Sequence, residues 1–419
     1  MNSGTIAQEG KPFLSVVRNR CGMAASWLAV ALGVSIPMST AADSVILGLL
    51  LVCWLLGGRV ADVRHILRTS SFARASWLLL GVMFLGLFWG TAGLDEGLQY
   101  IGKYKQLLFV PIFMTLLSCP RHRSYAMKGF GFAMMVTLVL SYAIALDLIP
   151  TGNPKFCYAT NACVLKSHIA QSHLMAFAAF LWALAASKHS DGRFRIFYGA
   201  LALAAAYNVL FMVIGRTGHV AILILAGYWA FSTYRWRGAG LAFAVILAII
   251  GIGMLSSAIF VERMKQGVDD ISQWTAGQGP VTSMGGRMDL YRDSFKVISD
   301  HPLVGVGTGG LSRRDGGNVN DAGAHASINP HNQYLLMAIR LGLIGLAALA
   351  YFFYCHWKQA MRLQDNSDRR LAVGLLLIMT VGCLFNSLLM DHAEGWFYAW
   401  FASVLFAGSG QPGAASASK

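Results

Sequence analysis

Residues 333–355 read QYLLMAIRLGLIGLAALAYFFYC, a run of 23 positions whose only charge is Arg340. Such a run meets the ~20 predominantly apolar residues that an α-helix needs to cross a ~30 Å hydrocarbon core. A charge inside it must face protein or a cavity, so Arg340 is expected to pair with a buried acid.

Outward from this stretch the pattern repeats. Apolar runs fall at approximately 23–39, 42–57, 76–92, 101–118, 126–148 and 167–187, then at 196–214, 218–233, 238–257, 371–390 and 396–409. The composition agrees. Of 419 residues, 56% are hydrophobic and 12% charged, whereas a soluble domain carries roughly 25% charged residues. The reading is an all-α polytopic membrane protein with about 12 transmembrane helices. The first run follows Lys11, Arg18 and Arg20 but no small-residue cleavage site, so it is taken as a retained span.

The net charge of +14 resembles a nucleic-acid binder until its distribution is read. Most of the basic residues fall in alternate links, together with few acids, when the N terminus is placed inside, and basic inner links orient membrane proteins. The surplus is therefore an orientation signal, and no nucleic-acid partner is expected. The seven Cys are scattered, and no phosphate-binding glycine loop, dinucleotide fingerprint or metal-ligand spacing is present, so neither metal nor cofactor is expected.

One outer segment, 258–332, is far longer than the other links, and long loops on economical chains carry function. Within it, Leu290, Phe295 and Ile298 lie near helical spacing, which predicts a helix over Arg287–Ser299. A second outer link, 149–166, holds Cys157 and Cys163, which are either a disulfide permitted by an oxidising location or two free thiols.

Four places on the outer side concentrate chemistry. Gly215-Arg216-Thr217-Gly218-His219 is a very tight link in which Arg216 either holds a phosphate through its bidentate fork or snorkels at the interface. Arg287 follows Gly285-Gly286 at a helix start, an anion site or a solvated side chain. Asn329-Pro330-His331-Asn332 stands at the mouth of the 333–355 run; His331 is a base near neutral pH, with Asn332 or Gln333 to orient it, or else a capping residue. Asp391-His392-Ala393-Glu394 forms the last outer link, where the acids order neighbouring cations or are simply solvated. Lys103 and Lys105 add positive charge on the same side. Together Arg216, Arg287, Lys103, Lys105 and His331 suit a lipid-linked pyrophosphate and glycosyl transfer.

Three stretches carry a resemblance: IGRTGH at 214–219, HPLVGVGTGG at 301–310, and NPHNQYLLMAIRLGLIGL at 329–346. They resemble the bacterial O-antigen ligases, within the O-antigen ligase and polymerase superfamily; residues 1–200 match only in hydropathy and span count. The resemblance implies a membrane-embedded C-type (GT-C) glycosyltransferase of the bacterial inner membrane. Spans one to nine would occupy 1–257 with a cytoplasmic N terminus. A periplasmic loop region carrying active-site residues would occupy 258–332, spans ten to twelve 333–409, and a cytoplasmic tail 410–419.

The activity implied is metal-independent, inverting transfer of O-antigen polysaccharide from undecaprenyl pyrophosphate to a sugar hydroxyl of lipid A–core. Carried onto this chain, the catalytic residues are His331, Arg216 and Arg287; Lys103, Lys105, Arg292, Asn332 and Asp391 are expected at the substrates. His301, beside Pro302 and several glycines, is assigned to loop structure. An O-antigen polymerase, which lengthens the lipid-linked glycan, is the nearest alternative, and the single dominant loop favours the ligase. A 12-span transporter would show two related halves and midplane charges, neither of which is evident.

Overall fold

The computed structural model describes residues 10–90, 92–150, 157, 161–256, 265, 269, 272, 283–310 and 329–408. Among the described residues there is no β-strand. The helices are α1 (Gly10–Met38), α2 (Thr40–Leu56), α3 (Val60–Thr69), α4 (Ser71–Leu85), α5 (Leu94–Gly102), α6 (Gln106–Leu116) and α7 (Pro120–Ala145). They continue with α8 (His168–Lys188), α9 (Gly192–Tyr207), α10 (Arg216–Ser256), α11 (Ser283–Asp300), α12 (Gln333–Ala360), α13 (Asn366–Gly382) and α14 (His392–Phe406). A helix satisfies its backbone polar groups internally, which lipid requires.

By length and hydropathy, α1 from Ser15, α7, α8, α9 with its π-helical continuation to Met212, and α12 can cross a membrane. The α2–α3 pair, bent by 100°, makes a sixth if it is one span. The chain is thus a polytopic membrane protein with five or six such spans among the described residues, fewer than twelve. At the runs 76–92, 101–118, 371–390 and 396–409 stand α4, α6, α13 and α14, of 15, 11, 17 and 15 residues. A 15-residue helix is only about 23 Å long, short of the ~30 Å core. Turns near Gly86, at 103–105 and at 383–391 cut these runs, and hydropathy does not register them. The expected tail at 410–419 and most of 258–282 and 311–328 lie outside the described residues.

The centre of the bundle is α14. Its WFYAWFASVLF sequence is apolar all round, the pattern of a helix enclosed on every side, and Trp396, Phe397, Tyr398, Trp400, Phe401 and Phe406 are all fully buried. Phe397 and Phe401 meet Phe130 of α7 and Phe177 of α8 at ring separations of 4.9–5.5 Å. This locks the helix whose N-terminus bears Asp391.

The segment 301–310 turns back into the bundle. Helix α12 is broken at Gly342 (φ 59°, ψ −149°), and a break leaves carbonyls and N–H groups without their i→i−4 partners. The loop supplies them. Val306 N donates to Ile339 O (2.9 Å) and Gly307 N to Arg340 O (2.8 Å), while Leu343 N donates to Pro302 O (2.9 Å) and Ile344 N to Leu303 O (3.3 Å). On its other side the loop meets the end of α4: Thr308 N donates to Gly86 O (2.9 Å), Thr308 Oγ1 to Met83 O (2.7 Å) and Trp89 Nε1 to Val304 O (2.9 Å).

Two glycines make this approach possible. Gly307 has φ 83°, and a Cβ there would lie 2.2 Å from the Gly90 Cα; at Gly342 a Cβ would lie 2.4 Å from the Leu303 carbonyl.

Arg340, 7% exposed, corrects the expectation of an acid partner. Its Nη1 donates to Gly310 O (3.0 Å) and its guanidinium lies 3.9 Å from the Tyr100 ring centroid. A carbonyl and a π-face stabilise the charge without a second ion to desolvate.

Gly307→Ala must force an L-residue into the left-handed region, at roughly 1–2 kcal/mol, and clash with Gly90. A melting temperature several degrees below wild type is expected in detergent. Gly81→Ala, in α4 with open space at its Cβ, should melt at or above wild type; equal melting of both variants would contradict this account of the loop.

Candidate functional site

His331 lies just outside α12 with φ 48°, a left-handed conformation uncommon for a non-glycine residue. The strain is over-determined by its surroundings. Asn329 Oδ1 accepts from His331 N (3.0 Å) and from Ser387 Oγ (2.8 Å), and Gln333 N donates to Cys383 O (2.8 Å). The side chain of Asn332 caps α12, accepting from Tyr334 N (2.9 Å) and Leu335 N (3.1 Å). Its oxygen is thereby occupied by the backbone. Gln333 donates through Nε2 to Tyr104 Oη (2.9 Å), tying the α12 start to the α5–α6 turn that carries Lys103.

The ring of His331 is oriented from the link between α13 and α14. Asn386 Nδ2 donates to Asp391 Oδ2 (2.9 Å), and Asn386 Oδ1 faces His331 Nδ1 at 3.2 Å. An ionised carboxylate only accepts, so the Asn386 amide N–H points to it and the amide oxygen is left for His331. The proton therefore sits on His331 Nδ1, and Nε2 keeps its lone pair. This is the base–orienter arrangement of nucleophile-activating sites.

Burial pushes the Asp391 carboxyl up to about 6, opposed by the charge of Lys103 and, when its ring is protonated, by His331. Lys103 is thus close enough to act on Asp391, whereas the side chain of Lys105 is exposed and makes no hydrogen bond or ion pair among the described residues.

A second polar cluster lies beside the first. Asp43, 1% exposed, accepts from Ser35 Oγ (2.6 Å) and meets Lys166 Nζ (3.5 Å) and His392 Nε2 (3.2 Å). Lys166 also donates to Thr40 Oγ1 (2.7 Å). Burial lowers the Lys166 pKa, and Asp43 offsets part of that. Nothing in the sequence pointed to this cluster: Asp43 falls in the first turn of α2, where an acid is ordinary.

Arg216 opens α10. Its turn is seated on α8: a Cβ at Gly215 or Gly218 would lie 2.2 or 2.4 Å from Ser172 side-chain atoms. Asn161 Oδ1 accepts from Ile214 N (2.9 Å), and Ala162 N donates to Met212 O (3.0 Å). The link that makes these contacts is closed by a disulfide between Cys157 and Cys163 (Cα–Cα 5.0 Å), buried with Val213. Covalent closure and both hydrogen bonds hold the turn in place. The Arg216 guanidinium is exposed and makes no hydrogen bond or ion pair among the described residues. It stands at the His331 end of the bundle, near the α8 terminus that follows Lys166, without touching His331.

Helix α11 encloses the helix expected at Arg287–Ser299. Tyr291 Oη donates to Leu384 O (3.3 Å), two residues before Asn386, and Arg287 stands one turn earlier on the same face. Arg292 is exposed and engaged locally, with Asp289 (3.2 Å) and Asp293 (3.8 Å). His301 is exposed in the loop turn, where its carbonyl accepts from Gly305 N (3.1 Å). The structure thus joins His331 and Asp391 through Asn386, a residue that sequence reasoning missed, and sets Lys103 near Asp391. Asn386 lies in FNSLLMDH, where no spacing marks it, and only the fold brings it across 55 positions to His331.

Comparison with known proteins bears on this arrangement. Residues 200–350 match the family model of the O-antigen ligases. The match supports assignment to the O-antigen ligase superfamily. It spans Arg216, α11, the 301–310 loop and His331, and stops before Asn386 and Asp391. An uncharacterized protein of Haemophilus influenzae is 24% identical over 280 residues, covering 61% of this chain and 64% of that one.

Because Asp391 binds its proton more tightly in the folded chain than its ordinary value of about 3.9, the folded state holds more protons between pH 4 and 6. Stability contributed by this group therefore falls as pH rises through that window. Melting temperatures of wild type and Asp391→Asn, taken from pH 4 to 6.5, should show the wild type losing ground relative to the variant. A constant difference would contradict the burial of Asp391.

Proposed function

We propose that this chain is an O-antigen ligase, moving O-antigen polysaccharide from undecaprenyl pyrophosphate to a sugar hydroxyl of lipid A–core. The observation that carries this reading is the His331–Asn386–Asp391 chain: a strained histidine whose Nδ1 faces Asn386 and whose Nε2 makes no hydrogen bond among the described residues, within the segment that matches the ligase family. In the proposal the protein is a C-type glycosyltransferase of the bacterial inner membrane with twelve spans and a cytoplasmic N terminus. Its site opens to the periplasm beneath the 258–332 loop.

The chemistry follows from the residues. His331 Nε2 takes the proton of the acceptor hydroxyl as that oxygen attacks the anomeric carbon from the face opposite the pyrophosphate. The carbon–oxygen bond to pyrophosphate breaks with inversion, and the electron pair leaves with the phosphate. Arg216 and Arg287 stabilise the charge that develops there, and fixed cations aimed at developing charge are the largest contribution such sites make. Lys103 adds to the same field and keeps Asp391 ionised. Arg216 on its disulfide-braced turn and Arg287 on α11 approach the leaving group from separate elements. The cations supply the positive charge, so the step needs no metal ion.

Full-length wild type, His331→Ala and Asn386→Ala are compared with undecaprenyl-pyrophosphate glycan and lipid A–core, in EDTA. Wild type should ligate at an undiminished rate. His331→Ala should lose about 10²–10⁴-fold, the usual contribution of a positioned base, while still retaining donor. Asn386→Ala should retain partial activity with a displaced pH profile. Normal ligation by His331→Ala would overturn the assignment of the base; lengthening of the lipid-linked glycan with lipid A–core ignored would establish a polymerase.

A further inference from the structure

A cavity of about 670 Å³ opens at the other end of α1, lined by Arg18, Arg59, His122, Ser26, Ser118 and Cys119 among others. Arg18 stands 17 residues from Ser35, which belongs to the Asp43 cluster, so the two sites are about 25 Å apart along the helix.

We propose that this cavity binds the phosphate headgroup of an anionic phospholipid. Three observations point there. First, its walls are cationic and hydroxylated. Arg18 spends Nε and Nη2 on Gly57 O (3.0 Å) and Gly58 O (2.8 Å), which fixes its guanidinium and leaves Nη1 for a ligand. Arg59 donates Nε to Asp62 (2.9 Å) and Nη2 to Thr115 O (3.4 Å), again leaving Nη1. Asp62 offsets the charge of Arg59, and that of Arg18 remains in surplus. Second, His122 Nδ1 is buried without a hydrogen-bond partner. An anion in the cavity would supply an acceptor to the protonated ring.

Third, the elements around the cavity suit headgroup depth. Helix α3, with Arg64 and Arg68 exposed, turns 100° away from α2 at Gly57–Arg59, the geometry of a helix lying in the interface. Met23, which lines the cavity, is 56% exposed, and Trp27, one turn further along α1, is 42% exposed. The Trp27 ring lies 5.0 Å from that of His122 and 5.6 Å from that of Tyr125, an aromatic belt along which an acyl chain can run. A headgroup whose phosphate meets Arg18, Arg59 and His122 while its chains follow Met23 and Trp27 uses all of these groups. Free phosphate uses only the first set. Basic pockets between membrane helices are established headgroup sites in general.

The test uses the purified full-length protein with phosphatidylglycerol, phosphatidylcholine or inorganic phosphate, read by native mass spectrometry and by melting temperature. Wild type should retain phosphatidylglycerol and be stabilised by it, with no response to phosphatidylcholine. Arg59→Gln and Cys119→Asp should each weaken phosphatidylglycerol binding about tenfold, the effect of one charge-assisted contact. Cys119 is the N-cap of α7, where aspartate is a preferred residue. Cys119→Asp therefore places a repelling charge in the cavity without loosening the helix, and a lost response is not a folding defect. Equal retention of both lipids, unchanged binding in both variants, or displacement of phosphatidylglycerol by millimolar phosphate would overturn the proposal. None of these readouts depends on ligation, so failure here leaves the functional reading untouched.

Discussion

Four backbone hydrogen bonds between residues 302–307 and 339–344 hold together the part of the bundle that carries the candidate site. An interrupted helix among apolar neighbours leaves donors and acceptors that cost several kcal/mol each if unpaired. The 301–310 loop supplies the missing partners on both sides of Gly342, and its glycines permit the contact because no Cβ fits there. The break lets the first turns of α12 take a direction of their own, and Arg340 stabilises it through the Gly310 carbonyl and the Tyr100 ring. HPLVGVGTGG and RLGLIG, far apart in sequence, are therefore two sides of one contact.

The site depends on that contact. The start of α12 carries His331 in a left-handed conformation, held by Asn329 beneath and Gln333 beyond. From the opposite direction α14, enclosed by aromatic rings and so unable to shift, delivers Asp391. Asn386 spans the gap, and because its amide can face a carboxylate in only one sense, the tautomer of His331 follows from the geometry. Electrostatics bear on the same residue: burial raises Asp391, and the positive charge of Lys103 opposes that rise.

Much of this was legible in the sequence. Apolar runs separated by short basic links gave the membrane class, and the 333–355 run coincides with α12. The helix in the long loop was readable from the spacing of Leu290, Phe295 and Ile298. The need of Arg340 for a protein environment is legible in its run, but the sequence points to an acid as its partner, because a π-face and a backbone carbonyl have no sequence signature. Likewise Asn332 could be named as an orienting group from adjacency alone, yet adjacency equally suits a helix cap, which is the role it fills. Arg287 and Arg292 lie on one helix, and it is Arg292 that makes the ion pairs with Asp289 and Asp293.

Local composition determined which segments are helical and apolar, since hydropathy and glycine placement act within a few residues. It also determined which side chains carry chemistry, because guanidinium, imidazole and carboxylate are what they are wherever they lie. Tertiary structure alone decided which of those groups meet. Asn386 reaches His331, Asp43 reaches Lys166 and His392, and the 301–310 backbone reaches Gly342, each across tens to hundreds of positions. Such pairings are set by the packing of whole helices and by the demand that every buried polar group find a partner, and no short window of sequence contains that demand.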